Sequence, residues 1–153
     1  MLLESSTNPI SANDGVTHIN VYSKGRTETG RLLSNFAPTP FKFAGMRFAS
    51  VEGYWYYKLT GDICCAGMSG WQAKQFGRGL PVVGQVPTRD ELLQVYIAKL
   101  AYNPNVAELL DASTLPFWHY YDYGGKTVVP NRWLWTAALW SDLRALRRTV
   151  NGR

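Results

Sequence analysis

The sequence predicts an α+β fold, dominated by helix, with a small antiparallel sheet and hairpin near the N-terminus. Three features lead there. Apolar residues recur at helical spacing through most of the chain after Ser50, and the stretch before it alternates or turns on glycine as strands and hairpins do. No linker, repeat or low-complexity tract divides the chain. A length of 153 residues fits a single domain. Residues 1–15, rich in Ser, Asn and Thr, read as a flexible leader, and 16–150 as the folded body.

Val16 to Ser23 alternates as Val-Thr-His-Ile-Asn-Val-Tyr-Ser and predicts a first strand. Lys24 to Arg31, punctuated by Gly25 and Gly30, reads as a polar loop, and residues 40–48 as a hairpin turning at Ala44-Gly45. Ser50 is placed to N-cap a helix from Val51 to about Leu59, stopped by Thr60-Gly61-Asp62. Residues 70–78 predict another short helix. Thr88-Arg89-Asp90-Glu91 is a capping-box pattern that opens a helix to about Tyr102. On it Leu92, Leu93, Tyr96, Ile97 and Leu100 make the expected core face. Pro104 occupies a first helical position ahead of Val106, Leu109 and Leu110. Residues 114–123 are aromatic and extended, and Gly124-Gly125 is a turn. A last helix from about Asn131 to Arg148 carries Trp133, Leu134, Ala137, Ala138, Trp140, Leu143 and Leu146 on one apolar face.

Composition narrows the function classes. A net charge of +5 favours anionic partners. An aromatic fraction of 14%, with six Trp and nine Tyr, exceeds what a core of this size needs, and such rings suit stacking on bases or sugars. Either several of them line a pocket, or they form a Trp-rich core with tyrosines along its edge. Arg144, Arg147, Arg148 and Arg153 crowd the C-terminus, as a helix end that complements its dipole or as a contact for nucleic acid. Cys64 and Cys65 are adjacent, which opposes a disulfide between them, and His18 and His119 offer no zinc-like spacing with them. No apolar run reaches the length of a membrane span and the start lacks a signal-peptide core, so the chain reads as cytoplasmic, without a membrane partner.

Few residues here suit chemistry. Glu52 opens the run Val51-Glu52-Gly53-Tyr54-Trp55-Tyr56-Tyr57-Lys58, where its neighbours are large rings. A carboxylate there either stabilises a helix N-terminus or is held for work. Trp71, Lys74 and Arg78 lie in a Gly-rich segment where cations bind phosphate and Gly77 and Gly79 allow backbone approach, or where Arg78 is simply a helix-end cation. His119 precedes Asp122 by three residues, but in a strand the two face opposite sides. A hydrogen-bonded His in an aromatic layer is the reading the pattern favours. Ser34 has no His or Asp at the spacing of a serine hydrolase.

Several segments together resemble the NADAR (YbiA-like) superfamily. Tyr22-Ser23-Lys24, Leu33-Ser34-Asn35-Phe36, and Phe43-Ala44-Gly45-Met46 leading into Ser50-Val51-Glu52 are similar to its opening blocks, which carry Leu-Ser-Asn-Phe, a hairpin, and Glu-His-Tyr-x-Gln-x-x-Lys. Glu52 matches the glutamate; Gly53 replaces the His, Tyr56 the Gln, and Lys58 falls one position early. Ala73-Lys74 with Gly77-Arg78, then Lys99, then Trp133 through Leu146 resemble the later blocks, so the likeness spans roughly residues 19–148. Where the family has Asp-x-x-Trp-Gly, His119 or Trp118 takes the place of the aspartate and Tyr121 that of the tryptophan. The compact length and the Glu-Gly-Tyr-Trp-Tyr variant resemble a bacteriophage-type member.

The resemblance implies a YbiA-like fold and N-glycosidic chemistry on ribose derivatives. The substrate would be ADP-ribose joined to guanine in DNA, laid down by a DarT-type host toxin, or a ribosylamine nucleotide. No metal or cofactor is implied. Breaking a C1–N bond creates oxocarbenium character that a carboxylate stabilises. Glu52 takes that role, with water attacking directly; alternatively Lys24 attacks C1 as an amine and opens the sugar as an imine. Asn35 would bond ribose hydroxyls, Phe36 and Trp55 would stack on rings, and Arg78 would hold a diphosphate. Ser34, Lys58, Trp71, His119 and Tyr121 complete the expected substrate contacts. The alternatives are a protein that sequesters an ADP-ribose-like signal without turnover, and a basic nucleic-acid-binding accessory protein.

Overall fold

A computed structural model describes residues 8–152. In chain order these form β1 (Ile19–Asn20), α1 (Glu28–Leu33), β2 (Phe41–Phe43), β3 (Met46–Phe48), α2 (Val51–Thr60), α3 (Gly70–Arg78), α4 (Arg89–Tyr102), α5 (Pro104–Ala112), β4 (Phe117–Trp118), β5 (Tyr121–Tyr123), β6 (Lys126–Val128) and α6 (Trp135–Val150). Among the described residues, 3-10 turns lie at Ser11–Asn13, Ile63–Gly67 and Asn131–Trp133. The class is α+β and mostly helical, as the sequence predicts. None of the helices among the described residues is long and apolar enough to cross a membrane. The chain divides into two compact units: Ser34–Glu108, and the described parts of Met1–Leu33 with Leu109–Arg153. α5 runs across the boundary.

In the unit Ser34–Glu108 local signals decide nearly every boundary. β2 and β3 pair antiparallel with Phe41 opposite Phe48, and the turn falls on Ala44 (φ 52) and Gly45 (φ 78). Ser50 Oγ accepts from Gly53 N at 3.0 Å and caps α2, which Gly61 ends in the left-handed conformation. Both bonds of the capping box form on α4: Glu91 N to Thr88 Oγ1 at 3.1 Å, and Thr88 N to Glu91 Oε1 at 2.9 Å. Phe41, Phe48, Val51, Tyr54, Leu92, Val95, Tyr96 and Leu100 are buried, with Phe48 edge-on to Tyr54 at 5.2 Å. The expected core face of α4 needs one correction: Ile97 is exposed, and Val95 and Lys99 turn inward instead.

The other unit departs further from expectation, because its pairings are long-range. The strand predicted over residues 16–23 shrinks to Ile19–Asn20, and its partner is β4, in parallel (Ile19 opposite Phe117), rather than a neighbouring antiparallel strand. His18, Ile19, Asn20 and Val21 are all buried, so the alternation in polarity does not mark a solvent face. The buried polar groups are satisfied instead: His18 Nε2 meets Tyr120 Oη at 2.6 Å, and Asn20 exchanges two bonds of 3.0 Å with the Tyr120 backbone.

The predicted polar loop from Lys24 to Arg31 contains a helix, α1. Gly30, read as punctuation, lies inside it because a Cβ there would come within 2.2 Å of the Asn20 carbonyl. Of the predicted leader, Met1–Thr7 fall outside the described residues. From Ser11 the chain is already folded: Ser11 is buried, and Asp14 accepts from Asn20 N at 2.9 Å and Arg26 N at 2.8 Å. Gly124 and Gly125 turn the hairpin β5–β6, whose second strand the sequence did not signal. The last helix begins at Trp135, after a 3-10 turn. Its arginines are tied to the chain: Arg147 forks onto Asp111 at 2.7 and 2.9 Å, Arg144 donates to Ser113 Oγ and Leu115 O, and Arg148 donates to the Asp111 and Ser113 carbonyls. Arg153 lies outside the described residues.

A candidate active site around Glu52

The first turn of a helix leaves its N–H groups without intrahelical partners. In α2 the Gly53 N–H goes to the Ser50 side chain, and the Glu52 N–H goes to the Asn35 carbonyl at 2.8 Å. The segment Ser34–Phe36 is thereby fastened across the start of α2. It is held from α4 as well: Lys99 Nζ donates to the Ser34 carbonyl at 2.9 Å, and Tyr96 Oη donates to Asn35 Oδ1 at 2.9 Å. Ser34 Oγ in turn accepts from Phe36 N at 3.1 Å. Asn35 therefore presents its amide nitrogen as the donor end, its oxygen being occupied.

Glu52 is half-buried, and its carboxyl is not fully sealed from solvent. Burial pushes it up to about 7, with the positive charge of Lys74 pulling the other way. Among the described residues neither an ion pair nor a hydrogen bond engages the carboxyl. A carboxyl that changes charge near neutrality is suited to acid–base work or to stabilising a developing cation.

Lys74 comes from α3. Its Nζ lies 5.8 Å from the centre of the Phe36 ring and 5.8 Å from that of Trp71, while the Arg78 guanidinium lies 5.0 Å from Trp71. α3 can approach because Gly70 (φ 58) starts it 3.3 Å, measured from an ideal Cβ, from the Phe36 carbonyl. Gly77 meets the Tyr56 ring so closely that a Cβ would fall 2.4 Å from it. This corrects the expectation that Gly77 admits a phosphate: it admits α2. Gly53 is explained the same way, since a Cβ there would lie 2.5 Å from the Cys65 carbonyl and 2.7 Å from that of Met68. Where the resembling motif has His, this chain has no room for a side chain.

Ser34, Asn35, Phe36, Glu52, Trp71 and Arg78 are thus linked within one unit, with Lys74 between the rings and the carboxyl. Trp55 and Lys58 share α2 with Glu52; Lys58 is engaged with Glu91 at 2.7 Å. Lys24, His119 and Tyr121 belong to the other unit. Lys24 is exposed in the stretch between β1 and α1. His119 Nδ1 donates to the Val21 carbonyl at 2.8 Å, its ring stands edge-on to Tyr121 at 5.4 Å, and burial holds it below the ordinary histidine range against the opposing pull of that carbonyl. The hydrogen-bonded His in an aromatic layer is what the structure contains. Among the described residues no three His, Cys, Asp or Glu gather as a metal would need.

Two residues of the Glu52 surroundings were not legible as such. Tyr96 reads as core by its spacing, and its ring is buried, but its hydroxyl holds Asn35. Lys99 is fully buried, and desolvation lowers its amine to about 7. The available signal was a lysine one position before Leu100 and three after Tyr96, on the inward side of α4, where a charged side chain is rare.

No protein-family model matches the chain, and no curated protein does. Among solved structures the chain is similar to the NMR structure of the E. coli protein YbiA, at 21% identity, over 88% of this chain and 87% of that one, with a TM-score of 0.64. At that identity the likeness is one of fold: the fold is YbiA-like.

Proposed function

We propose, with the YbiA-like fold as premise, that this chain is an N-glycosidase that cleaves a ribose C1–N bond, and that its substrate is ADP-ribose joined to guanine in DNA. The observation that carries the reading is the partly desolvated Glu52 carboxyl, without a partner and next to Asn35. As a carboxylate it stabilises positive charge on the ribose as the C1–N bond lengthens, and orients a water molecule toward C1. The bond electrons leave with the guanine nitrogen. The water oxygen bonds to C1, and its proton passes through Glu52 to the leaving nitrogen. The Asn35 amide nitrogen is the donor for the ribose hydroxyls. In a bacteriophage such an activity would reverse ADP-ribosylation by a DarT-type host toxin.

The test is incubation with ADP-ribosylated single-stranded DNA. Release of free ADP-ribose by the wild type but not by Glu52→Gln supports the proposal. Saturable binding of ADP-ribose without release identifies a sequestering protein, and salt-sensitive DNA binding alone identifies a nucleic-acid accessory protein; either result overturns it.

A further inference from the structure

Tyr56 has no part in the cleavage described above, yet its place in the fold bears on Glu52. It follows Glu52 by four positions on α2, so the two side chains share one face of the helix. A helical side chain leans toward the N-terminus and covers the turn before its own, which directs the half-buried Tyr56 ring toward the turn that carries Glu52. α3 meets the base of this ring. An ideal Cβ on Gly77 would lie 2.4 Å from Tyr56 Cγ and Cδ1 and 2.6 Å from Tyr56 Cβ, so the ring is seated on bare backbone. Lys74 precedes Gly77 by three positions, about one helical turn, and its positive charge acts on Glu52. The two helices therefore meet in register: Tyr56 faces Gly77, and one turn nearer the N-termini Glu52 lies in the field of Lys74. Among the described residues no ion pair joins Glu52 to Lys74. Arg78 further along α3, Tyr96 and Lys99 on α4, and Asp62 beside the turn Ile63–Gly67 do not act on Glu52 as Lys74 does.

We propose that Tyr56 is a positioning residue for the reaction at Glu52: seated on Gly77, its ring walls one side of the carboxyl and holds α3 at the spacing at which Lys74 acts on Glu52 without pairing with it. The inference rests on the glycosidase reading for its purpose and deepens it, because it names what prepares the carboxyl for work. Paired with Lys74, the carboxylate would have its charge neutralised and less to give to a cation developing on the ribose. Opened to bulk water, the same charge would be screened. The seated ring prevents both. Where the resembling motif carries Gln, the body of this ring offers Glu52 neither the amide donors of that residue nor the water that a polar side chain admits.

The test uses Tyr56→Gln and Tyr56→Phe, with the pH dependence of kcat/KM and an NMR titration of the Glu52 carboxyl as readouts; the resonance is the one missing from Glu52→Gln. Tyr56→Gln is expected to move the kinetic limb and the carboxyl titration to lower pH by about one unit, because the wall against water is removed while Lys74 stays. Tyr56→Phe keeps the ring and is expected to leave both in place. Lys74→Met should shift the titration less in the Tyr56→Gln background than in the wild type, since admitted water screens the charge. Urea unfolding verifies that each variant is folded. Should Gln not be tolerated against Gly77, Tyr56→Leu, which stays apolar and drops only the ring, must move the titration in the same direction. A folded Tyr56→Gln with a lower rate and an unmoved titration makes Tyr56 a packing residue only and overturns the proposal. So does a Tyr56→Phe that shifts as far as Tyr56→Gln, which would assign the effect to the hydroxyl. The NMR titration needs no substrate, so the two readings fail separately. A shifted titration with no ADP-ribose release by the wild type removes the glycosidase alone; release with a fixed titration removes the role of Tyr56 alone.

Discussion

The N–H of Glu52 is bonded to the carbonyl of Asn35 at 2.8 Å, main chain to main chain, across seventeen positions of sequence. The tie is independent of either side chain. Glu52 and Asn35 can therefore be changed one at a time without releasing the backbone that brings them together, and the consequences below depend on that.

Glu52→Gln is expected to abolish ADP-ribose release and also to stabilise the protein. The carboxyl titrates at 4.5 when unfolded and at about 7 in the fold. Between those values the folded chain keeps a proton that the unfolded chain gives up, so stability falls as the pH rises from 4.5 to about 7, and the loss is complete above it. Removing the charge recovers up to about 3 kcal/mol above pH 7 and almost nothing below pH 4. At this chain length that is a rise in Tm of about 5 °C or more. Melting curves at pH 4 and pH 8 check it; equal Tm values for the two proteins at pH 8 contradict a carboxyl raised by its surroundings.

If the carboxylate is the working form, log kcat/KM climbs with unit slope to about pH 7 and then levels. Lys74→Met removes the positive charge that opposes burial, so the limb moves to higher pH. A limb that stays in place, measured on the same substrate, means that Lys74 does not act on Glu52.

Tyr96→Phe keeps the buried ring and deletes only the hydroxyl that holds Asn35 Oδ1. The loss of one hydrogen bond, about 0.5–1.5 kcal/mol, corresponds to a fall of roughly two- to tenfold in kcat/KM. Lys99→Met loosens the same corner at Ser34, so the double variant should lose less than the product of the two single losses. Independent effects, read from a double-mutant cycle, would separate the two residues.

Gly53→His restores the residue found in the resembling motif, and is expected to damage the fold. The Cβ alone meets two carbonyls closer than 3 Å, and neither is the end of a flexible side chain. Gly53→Ala should already cost about 1–3 kcal/mol, measurable by urea unfolding. A variant with wild-type stability would show that the turn Ile63–Gly67 moves aside freely.

The imine route is expected to fail at Lys24. Borohydride added during turnover should trap no sugar on this residue, and Lys24→Arg should keep most of the rate, because Lys24 is exposed and the proposed reaction uses water. Peptide mapping of a trapped adduct to Lys24 would establish the covalent route instead.

Local chemistry made much of the Glu52 surroundings readable. The Ser50 cap, the Thr88–Glu91 box, the Ala44-Gly45 turn and the stop at Gly61 each involve residues within a few positions of one another, so their interactions are written in adjacent letters. β1 was misread because its partner, β4, is about a hundred residues away, and because buried polar groups such as His18 and Asn20 imitate a solvent-facing alternation. Gly30, Gly53 and Gly77 show the same limit. Each is a place where another backbone or ring comes too close for a Cβ, which no neighbouring residue announces.

The sequence by itself determined the α+β class, the extent of α2, α3 and α4, and that Glu52 stands at the second position of a capped helix among rings. Only the tertiary structure decided that this carboxyl is partly desolvated and unengaged, that Lys74 rather than Lys58 is the cation acting on it, and that Tyr96 and Lys99 reach across to hold Asn35 and Ser34. The reason is physical. Helix caps and turns are satisfied by neighbours in the chain, whereas the ionisation of a carboxyl is set by the water removed from it and by charges that folding brings from distant segments.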